Sequence, residues 1–130
     1  MIQGIGVDII KIERIKKAIE RSGQGFLNRV FTPEEQNYCL KMKNKFQHFA
    51  VRFAAKEAVL KALGLGWNSI RWTSIEVVND EDGSPEVTLH DKIRNMSTSR
   101  MFISLSHFEE YAIAFVILEK RGGKNDHAFL

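Results

Sequence analysis

The chain has 130 residues, 44% of them hydrophobic and 27% charged, which is enough for one globular domain with a modest core. No run of about 18 uncharged apolar residues occurs, so no membrane span is expected, and the opening residues lack the basic region and small-residue cleavage site of a secreted chain. Cys39 is the only cysteine, which excludes an intramolecular disulfide and suits a cytoplasmic setting; a net charge of +3 allows an acidic partner without calling for nucleic acid.

Ile2–Ile10 reads as a buried strand. Alternation places Gln3, Ile5, Val7 and Ile9 on one face and Ile2, Gly4, Gly6, Asp8 and Ile10 on the other. Glycine weakens a strand unless something packs close against it. An acid on the face that two glycines open is a site candidate, although Asp8 could instead cap the helix that follows. That helix is expected over Lys11–Arg21, with Ile12, Ile15 and Ile19 as its apolar stripe and Lys11, Arg14, Lys17 and Arg21 as a basic one. Such a stripe is either a solvated face or a dock for an acidic macromolecule. Ser22-Gly23 ends the helix.

Gly25–Phe31 is a short turn or helix. Thr32-Pro33-Glu34-Glu35 starts another helix, with Thr32 as N-cap, Pro33 in first position and Glu35 completing a capping box. It runs to about Met42, and Lys43–Lys45 links it to the next.

Phe49–Gly66 predicts a long helix ended by Gly64 or Gly66. Phe49, Phe53, Val59, Leu60 and Leu63 fill one side and five alanines most of the rest, which predicts burial nearly all round. Its four charges are spaced Arg52/Lys56 and Glu57/Lys61. They fit two surface i,i+4 pairs contributing about 0.2–0.5 kcal/mol each. They also fit a carboxylate that holds a cation beside a lysine that reaches an anion.

Thr73–Val78 and Glu86–His90 read as paired strands around a solvated tip at Asn79–Pro85. The tip's three acids lack the spacing of a calcium loop. Asp91–Ser97 is a short helix, and Met101–Ser106 and Tyr111–Leu118 are strands joined at Phe108-Glu109-Glu110. The four histidines have no zinc-type spacing; His107 closes a strand, where its ring can project over the sheet edge. The expected division is a single domain over 1–120 and a polar, mobile tail over 121–130.

Three stretches carry a family pattern. IGVDI at Ile5–Ile9, RFAAKEAVLKALG at Arg52–Gly64 and SLSHFEEYAIAFVI at Ser104–Ile117 resemble the holo-acyl-carrier-protein synthases, the small bacterial type of 4′-phosphopantetheinyl transferase. The resemblance runs from about residue 2 to residue 119, and its central motif is the most specific part. It implies transfer of 4′-phosphopantetheine from coenzyme A to a serine of apo-acyl-carrier protein, for fatty acid biosynthesis, with magnesium required and adenosine 3′,5′-bisphosphate released. It implies Asp8 and Glu57 as metal ligands and Asp8, Glu57 and Lys61 as the catalytic set. Arg52, Lys61, Gly64 and His107 become coenzyme A contacts, and Arg14, Lys17 and Arg21 the carrier-protein dock. It further implies a homotrimer with sites between subunits. Phe102 stands where some members have histidine, so a phosphate contact there does not carry over.

The residue types suit that chemistry. Magnesium takes few carboxylates, several waters and the substrate's own phosphate oxygens. Lys61 can neutralise charge on a transferred or leaving phosphate. The nucleophile belongs to the partner, and the base is open between Glu57, a metal-held water and neutral Lys61. Two other classes fit less of the sequence: a magnesium-dependent pyrophosphohydrolase on the same carboxylates, and a non-catalytic module binding acidic partners through the basic helix. The fold expected is α+β, with a mixed sheet packed on the long helix and Asp8 beside Glu57.

Overall fold

The computed structural model describes residues 1–98 and 100–120; the expected tail at 121–130 lies outside them. Strand β1 (Ile2–Lys11) leads directly into helix α1 (Ile12–Ser22), followed by α2 (Gln24–Val30), α3 (Pro33–Lys41) and the long α4 (Lys45–Leu63). Then come β2 (Ile75–Asn79), β3 (Pro85–Leu89), β4 (Arg100–Phe108) and β5 (Tyr111–Glu119), with 3₁₀ turns at Trp72–Ser74 and Asp91–Thr98.

The α+β class and the packing of a sheet on the long helix are as expected, but the sheet is not mixed. Every strand pair is antiparallel, in a three-stranded sheet ordered β1-β5-β4 and a separate β2-β3 hairpin. The tight turn at Glu109-Glu110 allows only an antiparallel β4–β5 pair. β1 then adds to β5 with Asp8 opposite Ala114 and Lys11 opposite Tyr111. The Ile12 N–H donates to the Glu110 carbonyl at 2.8 Å, so α1 starts beside that turn. The second hairpin also departs from its expected bounds: residues 72–74 form a 3₁₀ turn and the strand begins at Ile75.

Helix α4 lies across the inner face of the three-stranded sheet, over Ala112, Ala114, Val116 and Leu118 of β5, all buried. It begins four residues earlier than expected, at Lys45, and ends at Gly64, whose φ of 71° is the left-handed C-cap. Its alanines at 50, 54, 55, 58 and 62 are all buried. The room left by the β1 glycines is taken by the backbone of this helix. A Cβ on Gly6 would sit 1.9 Å from the Ala58 carbonyl oxygen, and one on Gly4 2.0 Å from that of Ala62.

Lys56 is not a surface charge. It is fully buried, with its Nζ 2.7 Å from Glu35 Oε1 and donating to the carbonyls of Val30 (2.7 Å) and Trp72 (3.1 Å). Glu35 completes the expected capping box with Thr32 and also accepts the Val77 N–H at 2.8 Å. One buried, saturated ion pair thereby ties α4 to α2, α3 and β2. Burial pushes the Lys56 pKa down, and Glu35 opposes that shift.

The outer face of the sheet is uncovered. Ile5, Val7 and Ile9 are 60%, 54% and 60% exposed, and Phe102 and Phe115 stand exposed beside them.

A methyl group at Gly6 meets backbone, which has no flexible end to move aside. Gly6→Ala is expected to lower the unfolding free energy by about 1–3 kcal/mol or more, seen as a lower denaturant midpoint. An unchanged midpoint would mean that β1 can draw back from α4 freely.

Candidate active site

The seat of β1 against α4 decides where Asp8 goes. Asp8 follows Gly4 and Gly6 on the inner face, two residues beyond the closest approach to Ala58. It does not cap the next helix, because α1 has Lys11 at its N-cap and no side-chain cap. Its carboxylate meets Lys61, whose Nζ donates to Asp8 Oδ1 at 3.3 Å and to the Val7 carbonyl at 2.8 Å. Lys61 thus reaches across to β1 rather than back to Glu57, four residues earlier on its own helix. Its side chain is half exposed, while that of Asp8 is 17% exposed.

Glu57 lies close enough to feel both. Its pKa is raised by partial burial and then by the charge of Asp8, and is drawn back down by Lys61. The Asp8 pKa is also raised by burial, against the lowering effects of Lys61 and Arg14. Glu57 thus has its ionisation disfavoured by a neighbouring acid, while the ammonium of Lys61 is bonded to Asp8. The described residues hold no group of three or more His, Cys, Asp or Glu able to bind a metal. Two carboxylates are still enough for a magnesium ion that keeps its waters and takes substrate phosphate oxygens. A cleft of about 550 Å³ opens past Lys61, bounded by Gly4, Ala62 and Gly64 and by Asn95 and Met96 from the second 3₁₀ turn; Lys61 lines it, while Asp8 and Glu57 do not.

The remaining expected contacts are placed elsewhere. Gly64 borders the Lys61 cleft. Arg52 is nine residues before Lys61, which puts it half a turn round the helix and about 13 Å along its axis. It is 3% exposed, stacks on the Tyr38 ring at 4.3 Å and donates to Asn79 Oδ1 at 3.2 Å. His107 pairs with Ala112 at the end of β4, exposed, and its charge reaches His48 in the first turn of α4. Phe102 sits on the opposite, outer face of the sheet, with Arg100 over its ring at 5.2 Å.

Arg14, Lys17 and Arg21 share one face of α1, while Lys11 belongs to β1 and reaches the Tyr111 ring at 6.0 Å. The three helix cations rim a groove with Ile15, Phe26 and Phe53 in its floor. Sequence reasoning found the rim and missed the aromatic floor. It also missed Tyr38 and Asn79, which are 14 and 27 residues from Arg52 and come near it only through folding.

Residues 4–116 match the 4′-phosphopantetheinyl transferase superfamily. The chain belongs to this superfamily, among the holo-[acyl-carrier-protein] synthases. It is 46% identical over 125 residues to the holo-[acyl-carrier-protein] synthase of Geobacter sulfurreducens, covering 92% of this chain and 99% of that protein. It is 50% identical over 119 residues to that of Protochlamydia amoebophila, covering 90% and 98%. Among solved structures it superposes on the Bacillus anthracis holo-(acyl-carrier-protein) synthase in complex with CoA (3′,5′-ADP), with a TM-score of 0.79 and 36% identity, covering 93% and 99%.

If Asp8 and Glu57 share one site, each reports the other's charge. Asp8→Asn is expected to lower the Glu57 titration midpoint, and Lys61→Met to raise it, in NMR titration of the side-chain carboxyl carbons. A Glu57 that ignores the loss of Asp8 would separate the two carboxylates.

Proposed function

We propose that this chain transfers the 4′-phosphopantetheine group of coenzyme A to a serine hydroxyl of an apo-acyl-carrier protein and releases adenosine 3′,5′-bisphosphate. The observation that carries this reading is that Lys61 of α4 bonds Asp8 of β1 within electrostatic reach of Glu57 and lines an open cleft. The family to which the chain belongs, and the holo-[acyl-carrier-protein] synthases it resembles, supply the substrate pair.

Asp8 and Glu57 would hold a magnesium ion. When bound, the ion polarises phosphoryl oxygens and offsets charge on the leaving phosphate. The chain's own residues do the rest. Lys61 is half exposed and can turn its ammonium from Asp8 to a phosphoryl oxygen, where it stabilises the charge that develops as the pyrophosphate breaks. Asp8 and Val7 hold that ammonium meanwhile on the side of the helix that faces the cleft. The glycine cap at Gly64 lets the chain turn away there and leaves the cleft open.

Two surfaces extend the reading. The groove on α1, with Arg14, Lys17 and Arg21 above an apolar floor, fits an acidic helical carrier protein presenting one apolar side chain. The uncovered face of Ile5, Val7 and Ile9 is the kind of apolar surface that a homo-oligomer buries, and a trimer fits the family. No helix among the described residues is long and apolar enough to cross a membrane, and a cytoplasmic setting is part of the proposal.

The direct test is mass spectrometry of an apo-carrier protein after incubation with this protein, coenzyme A and magnesium. The serine should gain one phosphopantetheine. Adenosine bisphosphate released without carrier protein would indicate a hydrolase instead. Glu57→Gln is expected to lower kcat by about 10²-fold with the fold retained; a fully active variant would remove Glu57 from the site. Arg14→Glu is expected to raise the KM for carrier protein roughly tenfold, more at low salt, while the KM for coenzyme A holds steady. Equal rises in both would defeat the docking surface.

A further inference from the structure

The floor of the α1 groove holds two aromatic rings that reach it from different helices, Phe26 from α2 and Phe53 from α4. Each has a second ring against it. Trp72, in the first 3₁₀ turn, stacks on Phe53 with centroids 5.0 Å apart and 13° between the planes. Phe31, directly after α2, meets Phe26 edge-on at 6.2 Å. Neither Trp72 nor Phe31 lines the groove itself.

Both backing residues are fastened to one ammonium. The buried Nζ of Lys56 donates to the Trp72 carbonyl at 3.1 Å and lies 5.5 Å from the centroid of the Phe31 ring. Phe31 is buried and also packs on Phe49, with ring centroids 4.9 Å apart. Glu35 and the Val30 carbonyl take the other protons of Lys56, so the ammonium is fixed in turn. The floor is therefore the outer end of two short chains of contact, Phe53–Trp72–Lys56 and Phe26–Phe31–Lys56. Phe26, Phe53 and Trp72 are only partly buried. A partly buried ring has more than one staggered rotamer open to it, and a second ring packed on it favours one of them. A floor already set in one arrangement gives up little freedom when a side chain fills the groove.

We propose that Trp72 and Phe31 are positioning residues for carrier-protein docking, which hold Phe53 and Phe26 in the arrangement that receives an apolar side chain of the partner. This rests on the reading of the α1 groove as the carrier-protein dock. The two parts of that dock act over different ranges. Arg14, Lys17 and Arg21 on the rim attract an acidic partner through solvent, where salt screens them. The rings act only on contact, and salt does not screen their packing. Loss of a backing ring should therefore weaken seating of the carrier protein equally at low and high salt.

The test measures kcat and KM for apo-carrier protein and for coenzyme A, with magnesium, at low and at high salt. It covers the wild type, Trp72→Leu, Trp72→Phe, Phe31→Leu and Arg14→Glu, each with a thermal melt. Trp72→Leu and Phe31→Leu are expected to raise the KM for carrier protein by about three- to tenfold. The rise should be the same at both salt concentrations, whereas that of Arg14→Glu should shrink as salt increases. For the Trp72 and Phe31 variants, kcat and the KM for coenzyme A should stay within about twofold of wild type. Trp72→Phe keeps a ring to stack and should recover most of what Trp72→Leu loses.

Equal KM rises for carrier protein and coenzyme A would make the two rings merely structural and overturn the proposal. So would a Trp72→Phe no better than Trp72→Leu. If Phe31→Leu fails to fold, the Trp72 pair decides. A carrier-protein KM raised by Arg14→Glu but not by Trp72→Leu would leave the dock in place and overturn the role of the backing rings alone. An Arg14→Glu that leaves that KM unchanged would instead remove the docking reading itself.

Discussion

The close seating of β1 on α4 is the contact on which the rest of the structure depends. Two glycines on the strand and five buried alanines on the helix let the backbones approach until no Cβ would fit at Gly4 or Gly6. That approach is more than packing. It sets the height of the helix above the sheet, and so decides that Asp8, next on the same face, meets Lys61 and feels Glu57. A helix carried a residue's width higher would leave Asp8 facing solvent and would hand Lys61 to water. The small residues and the charged ones are therefore one device, in which the first group sets the distances that make the second a site.

Four of the five charges of α4, those after Lys45, also illustrate how environment assigns work. Lys56 is buried and saturated: a carboxylate and two carbonyls use its three protons, which suits a structural tie. Arg52 is buried with its guanidinium on the Tyr38 ring and bonded to Asn79, and its Nε is left without a partner. Lys61 is half exposed, lines a cleft and bonds a strand acid whose charge also acts on Glu57, which suits chemistry. Residue type alone does not separate Lys56 from Lys61, five residues apart on one helix. Burial and the count of satisfied protons do.

Much of this was legible in the sequence, for physical reasons. The capping box at Thr32–Glu35, the glycine stop at Gly64 and the apolar periodicity of α1 are local signals that produced the expected local structure; the alternation in β1 gave the strand, but not the expected burial, since Ile5, Val7 and Ile9 on its outer face are exposed. The pairing of strands is not local, and there the expected mixed sheet gave way to two antiparallel ones. The partner of Lys56 was hidden in plain view. Glu35 already had a complete explanation as a capping residue, and nothing in the order of residues says that its second oxygen and a distant lysine share a core. Tyr38 and Asn79 carried no signal at all, because their roles exist only once α3 and β2 flank α4. The α1 groove was half visible: its cations follow helical spacing, but Phe53 in its floor comes from α4 and Phe26 from α2.

The distribution of these groups around α4 bears on how a long substrate is held. Lys61 looks toward β1 and Arg52 toward α3 and β2, with the buried body of the helix between them. A coenzyme A molecule lying along one surface of a single chain would therefore engage one side or the other. The outer sheet face answers this in part, since a chain with Ile5, Val7, Ile9 and Phe115 exposed has every reason to bury them against copies of itself. The helix thus holds Arg52 and Lys61 apart within one chain, and the apolar outer face of the sheet is a surface distinct from both.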